Sequence, residues 1–340
     1  MTTGTRYFVI TSLLVLTVGL GAGTVAYLGG FPTSAFSQQG GPDELKFVPA
    51  DASLVAFADV QHIMTSGLRQ KLRAALPMKK EDGHQQFQSH TGINIETDID
   101  RVVAFVAPVH ESSSSQFNGS ALVIARGRFD AVKIESLMRE HGAQVEDYQG
   151  RRLLVGIGHG GQAAMSLAFL EPGLIAVGAS QLVQKAVDAR DGGASILTNG
   201  EMMNFVDDLD SGNAWAAGRF DVLASHARIP DGVREKLPPV SWFSASTRVD
   251  DGLSAVLRAE TMDEESANSL RDVIRGGLAL AKLRASSRPE LQQLTESIRL
   301  GGSERAVSLS FDLPAQVLDA LGAFASQHHR GAKALVPSRP

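Results

Sequence analysis

Hydrophobic and polar positions divide the chain into regimes. Residues 7–28 read YFVITSLLVLTVGLGAGTVAYL, an apolar run lying between Arg6 and the next charged residue, Asp43. At 1.5 Å per residue, about 22 residues form a helix of roughly 33 Å, enough to cross a ~30 Å hydrocarbon layer. The pattern predicts a membrane-spanning helix, with the lipid bilayer as its partner, after a cytoplasmic tip at 1–6. Arg6 and the amino terminus place positive charge on the leading side only, which orients the body outside the cytoplasm. Tyr7 and Tyr27 stand near the two ends, as interfacial aromatics do. A cleaved signal peptide is the alternative, with small-residue sites at Thr24-Val25-Ala26 or Thr33-Ser34-Ala35. Residues 29–49, rich in Gly, Pro, Ser and Gln, read as a flexible linker.

Beyond the linker, short apolar runs alternate with amphipathic stretches. Ser53–Asp59, Arg101–Val109 and Ser120–Arg126 read as strands, and AVKIESLMREHG after Asp130 as a capped helix. Hairpins follow at Gln149-Gly150 and Glu171-Pro172-Gly173, then a helix over Ser180–Ala189 with Ser180 as its cap. The order recurs. Asn213–Arg219 is a strand and Phe220-Asp221 opens a helix; Val240–Arg248 and Leu253–Glu260 form a hairpin around Asp250-Asp251-Gly252. A long helix starts at Asp263-Glu264-Glu265, a short one covers Glu290–Glu296, and a hairpin at Gly301-Gly302 leads to a final helix over Pro314–Ser326.

Gly127-Arg128-Phe129-Asp130 and Gly218-Arg219-Phe220-Asp221 repeat four letters at strand-to-helix junctions, with Phe57-Ala58-Asp59 and Ser310-Phe311-Asp312 similar. In mechanical terms Phe packs on the sheet and Asp accepts from free helix amides; a ligand-holding Arg128/Asp130 pair is the functional alternative. The repeated order, strand–helix–strand–strand–helix–strand, predicts an α+β fold: two related ferredoxin-like (split βαβ) modules with antiparallel sheets, at 50–200 and 201–328, and a disordered basic tail at 329–340.

Composition narrows the chemistry. Lys+Arg 32 against Asp+Glu 37 gives net −5, which opposes a nucleic-acid surface. Cys 0 excludes disulfides, thiolate zinc sites and a cysteine nucleophile. Gly-x-Ser occurs at Gly178–Ser180, Gly193–Ser195, Gly252–Ser254 and Gly301–Ser303, never completing a nucleophile elbow. His84 and His90 read as solvent histidines, and Asp207–Gly212 as an acidic turn lacking the ligands of a calcium loop. Gly156–Gly161 precedes a strand rather than the helix a phosphate loop needs. Asp98/Asp100 and Glu264/Glu265 stand at element starts, and Trp215 and Trp242 read as core or sheet residues. No catalytic, cofactor-binding or metal-ligating set is assigned. Gly19-x-x-x-Gly23 has the spacing by which membrane helices pair, so a homodimer through Gly19 and Gly23 is one expectation.

The stretch Phe47-Val48-Pro49-Ala50-Asp51-Ala52-Ser53-Leu54-Val55-Ala56-Phe57 resembles the first strand of bacterial membrane-anchored proteins built from repeated strand–helix modules. The resemblance implies layout and no activity. The expected function is a non-catalytic binding or scaffold module of the bacterial envelope, single-pass in the inner membrane, with a periplasmic or extracellular body. Two alternatives stay open: a hydrolase-like envelope enzyme with its site between the modules, and a structural component of a pilus or secretion assembly.

Overall fold

The computed structural model describes residues 42–70, 88, 92–108, 120–156, 165–209, 212–226, 237–286 and 289–314. The apolar run at 7–28, including Gly19 and Gly23, and the tail at 329–340 lie outside them. Among the described residues no helix is long and apolar enough to cross a membrane.

In chain order the elements are β1 (Leu54–Asp59), α1 (Val60–Thr65), α2 (Ile95–Asp98), β2 (Ile99–Ala107), β3 (Ser120–Gly127), α3 (Ala131–Glu140), β4 (Gln144–Tyr148), β5 (Arg151–Val155), β6 (Met165–Glu171), β7 (Leu174–Ala179) and α4 (Ser180–Arg190). They continue with α5 (Gly200–Asp207), β8 (Ala214–Arg219), α6 (Phe220–His226), β9 (Val240–Val249), β10 (Leu253–Thr261), α7 (Glu264–Ala285), α8 (Pro289–Ser297), β11 (Arg299–Gly301) and β12 (Ala306–Leu313).

All twelve strands among the described residues join one sheet, in the order β11-β12-β10-β9-β8-β1-β2-β3-β7-β6-β5-β4. Every described pair is antiparallel. The fold is therefore α+β on one large antiparallel sheet. A split βαβ unit would insert its third strand between its first two, antiparallel to both, whereas here β1 pairs directly with β2. The strands instead lie in the order β1-β2-β3-β7 in one half and β8-β9-β10-β12 in the other. The halves meet where β1 pairs with β8, with Ala56 opposite Ala216. Strand order on either side of that pair mirrors the other, which defines an approximate two-fold axis normal to the sheet.

Helices cover both faces. Here face A is the side that bears Val55 and Phe57, and face B the side that bears Ala56 and Ala58. Face B carries Val60, Ile63 and Met64 of α1 and Ile134 and Met138 of α3 over the first half. Its second half carries Leu223 of α6 and then Ala267, Leu270 and Ile274 of α7. Face A of the first half carries Leu182, Val183, Ala186 and Val187 of α4, Met202 and Val206 of α5, and Leu45 and Phe47.

Those last two residues correct the linker expectation. Asp43–Phe47 is a 3-10 turn with Glu44, Leu45 and Phe47 buried. Glu44, fully buried, pairs with Arg126, and Lys46 Nζ lies 3.2 Å from Glu171. The amide of Ile196 donates to the Val48 carbonyl (2.7 Å), which ties the segment to the stretch before α5. Composition suggested a spacer, but two large apolar side chains and a lysine suffice to seat it. Ser180 is also corrected: the N-cap of α4 is Ala179, which makes no side-chain cap bond, and the Ser180 hydroxyl lies 2.6 Å from that of Ser166.

Candidate functional site

Side chains alternate across a strand, so one face can be read along cross-strand partners. One row of face A runs through twelve strands as Arg299, Ser310, Val256, Ser246, Trp215, Phe57, Val103, Ile124, Ala176, Ala168, Leu153 and Glu146. The adjacent row begins Gly301, Ser308, Arg258, Ser244 and continues Ala217, Val55, Phe105, Leu122. Polarity changes between β9 and β8 in both. From β8 through β7 the face is apolar and covered by α4, α5 and the 3-10 turn. From β9 to β11 it is hydroxyl- and arginine-bearing.

The boundary is built by aromatics. Trp215 packs against Phe57 with ring centroids 5.7 Å apart, and Phe205 of α5 stacks on Trp242 of β9 at 5.0 Å and 14°. Behind α5, Arg258 reaches back to Asp208, donating to its carbonyl at 3.2 Å. There the cover ends. Beyond it lies an open cleft of about 470 Å³, with Ser246, Arg248, Ser254, Arg299, Ser310 and Asp312 among its walls. Ser246, one of its walls, is buried at 6% exposure. Arg299 and Asp312 stand exposed, and neither makes an ion pair among the described residues. The floor offers hydroxyls that donate and accept, two guanidinium groups that only donate, and one carboxylate. Such a surface can both donate and accept hydrogen bonds.

Every described residue that lines the cleft belongs to the second half. The repeated Gly-Arg-Phe-Asp motif does not form a site. The Arg128 side chain donates to the Thr97 carbonyl, while Asp130 caps α3 by accepting from the Lys133 amide at 3.0 Å. Phe129 and Phe220 pack into the face-B clusters. Asp221 differs from Asp130: Arg219 grips it with Nε and Nη2 at 3.2 and 3.1 Å. That hydrogen bond holds the Asp221 carboxyl below its ordinary value against partial burial, and raises the Arg219 guanidinium in turn. The repeats serve one geometry at non-equivalent places, since β3 corresponds by the two-fold to β10 and β8 to β1.

Other candidates are accounted for by local structure or lie elsewhere. Asp208 is engaged by Arg258, while Asp210 and Ser211 of the acidic turn lie outside the described residues. Asp98 accepts from the Asn94 amide and the Thr97 hydroxyl, both at 2.8 Å. Glu264 and Glu265 occupy the first turn of α7 behind the Asp263 cap. Gly156 follows β5, and His84, His90 and residues 157–161 are outside the described residues. Sequence reasoning missed the serines of β9, β10 and β12, although their period-two placement was a readable signal.

No family model matches the chain, and no curated protein matches it. Among solved structures, that of TP0453 in its crystal form I is similar at a TM-score of 0.41 and 9% identity, covering 84% of this chain and 99% of that one. A likeness of that size carries no argument.

Proposed function

We propose that this chain is a membrane-tethered, non-catalytic binding module of the cell envelope, and that its binding surface is the hydroxyl- and arginine-bearing half of face A. The partner is a polypeptide segment with acidic and hydrogen-bonding side chains. One observation carries this reading: a single sheet face is apolar and covered over one half and, among the described residues, polar with a cleft over the other. A face that served only stability would be apolar under a cover, or evenly polar toward water. Here serines on three adjacent strands form a floor that buries little apolar area and can satisfy a polar backbone. The exposed Arg299 on this surface can donate to a carboxylate. The tether is the apolar run at 7–28, with the body on the far side of the membrane from Arg6.

A photoreactive amino acid at Ser310, compared with one at the exposed Val132 on the opposite face, tests the surface in membranes of producing cells. The expected result is a discrete adduct from Ser310 that Val132 does not give. Identical background from both positions contradicts the reading. A reporter fused after Pro340 tests the location; it should be active only outside the cytoplasm, and cytoplasmic activity refutes the tethered orientation.

A further inference from the structure

Helix α7 and its two-fold counterpart α3 both lie on face B, but α3 has 10 residues and α7 has 22. The added length does not serve the core. Ala267, Leu270 and Ile274 pack on the sheet, and past Ile274 only Ala285 is buried. Large apolar side chains nevertheless continue along the outer side of the helix. Val273, Leu280 and Leu283 are 45%, 62% and 76% exposed. Steps of seven and three residues set them on one stripe, with Gly276 and Gly277 between them. Nothing inside the chain requires these glycines: a Cβ on either would meet nothing within 4 Å, and neither has a positive φ. In a helix interior glycine is weaker than alanine. What a missing Cβ does provide is room for another backbone to come close.

We propose that this stripe is the contact surface for a second copy of the chain, with α7 packing antiparallel on α7 about a two-fold axis near Gly276 and Gly277. Charge selects both the partner and the direction. The first turn of α7 holds Glu264 and Glu265, and its last turn holds Lys282 and Arg284. An antiparallel copy brings each acidic start toward a basic end and opposes the two helix dipoles, whereas a parallel copy sets like charges together. In the antiparallel register Val273 faces Leu280 of the second copy, and Leu283 lies over Ser269. Asp272 then stands on the same flank as Lys282 of the second copy. Within its own helix Asp272 pairs with Arg275 at 2.8 Å, while Lys282 is exposed and makes no ion pair among the described residues. A bilayer surface suits the stripe less well, because Glu265 and Asp272 project from the same outer side as the leucines and anionic headgroups repel them. The contact is on face B and does not depend on the binding reading above.

A contact of one helix on one helix is smaller than a standard interface, so trapping reads it better than sizing. The chain contains no cysteine, and introduced thiols therefore report without background. In membranes of cells that produce two versions of the full chain, Val273→Cys in one and Leu280→Cys in the other should form an intermolecular disulfide under mild oxidation. Its yield should exceed that of either version alone at least ten-fold. Leu280→Cys produced with Val132→Cys, an exposed position of α3, should not rise above the single-version background. Gly276→Gln in both versions should cut the Val273–Leu280 yield at least five-fold without lowering the denaturant midpoint, because in a single copy the new side chain meets open space. Equal yields from all pairs, or no disulfide from any, overturn the pairing, and so does a yield that ignores Gly276→Gln. If both thiols resist a water-soluble maleimide yet form no disulfide, a lipid surface or another protein covers the stripe, and the pairing is refuted.

Discussion

Gly127 and Gly218 show why the repeated motif begins with glycine. A Cβ on Gly127 would lie 2.0 Å from the Asp98 carbonyl oxygen, and one on Gly218 would lie 2.6 Å from that of Ser53. Both obstacles are backbone. Gly218→Ala should therefore lower stability by about 1–3 kcal/mol through overpacking, read as a shifted denaturant midpoint. Gly276→Ala is the contrast: it faces open space within α7 and should gain about 0.5–1 kcal/mol from helix propensity. Asp221 sets a pH dependence. Its folded carboxyl is held below its ordinary value near 3.8 by Arg219, so its contribution is full above that value and fades as pH falls through the lowered one. Asp221→Asn should be less stable than the parent at pH 6 and converge with it in strong acid; an equal deficit at both pH values excludes the ion pair as the cause. The glycine and aspartate were legible as a junction in the sequence. That Arg219 would grip Asp221 while Arg128 leaves Asp130 free to cap was not, because it depends on which backbone lies beside each arginine.

At the scale of elements, period-two patterns were legible, and they carried more than strand boundaries. In β9, Trp242, Ser244, Ser246 and Arg248 alternate with Phe243, Ala245, Thr247 and Val249; β10 and β12 behave likewise. By contrast Val102, Val103, Phe105 and Val106 make β2 apolar on both faces. The difference between half-buried and fully buried strands was thus written in the chain. What it lacked was the knowledge that the polar sides share one face. Two elements escaped for different reasons. α5 starts at the expected boundary between the modules, where Asn199 caps it by accepting from the Met202 amide at 3.1 Å. Asp43–Phe47 is too short for periodicity, and only its burial identifies it. Phe47→Ala should cost about 3–5 kcal/mol, measured by equilibrium unfolding, because its side chain is fully buried. A linker residue would cost nothing measurable.

At the scale of the molecule, the element order was legible and the pairing was not. A split βαβ plan and the observed sheet share the order strand–helix–strand–strand–helix–strand, and differ only in which edges meet. Local pattern does not encode that choice. Small side chains at the central pair, Ala56 against Ala216 with Ala58 against Ala214, leave room for α6 and α1 to pack over the junction on face B. The outer edges are short or charged, with three residues in β11 and Glu146 and Asp147 in β4, as edges that avoid further pairing are. The contrast between a covered apolar half and a polar half of one face depends on β1 and β8 being bonded neighbours. Amide hydrogen exchange of the full chain tests that bond most directly. Amides of Leu54–Asp59 and Ala214–Arg219 should be among the slowest to exchange and should open together, with β4 and β11 much faster. Exchange at β1 and β8 as fast as at β4 and β11 would mean two separate sheets and would contradict the account.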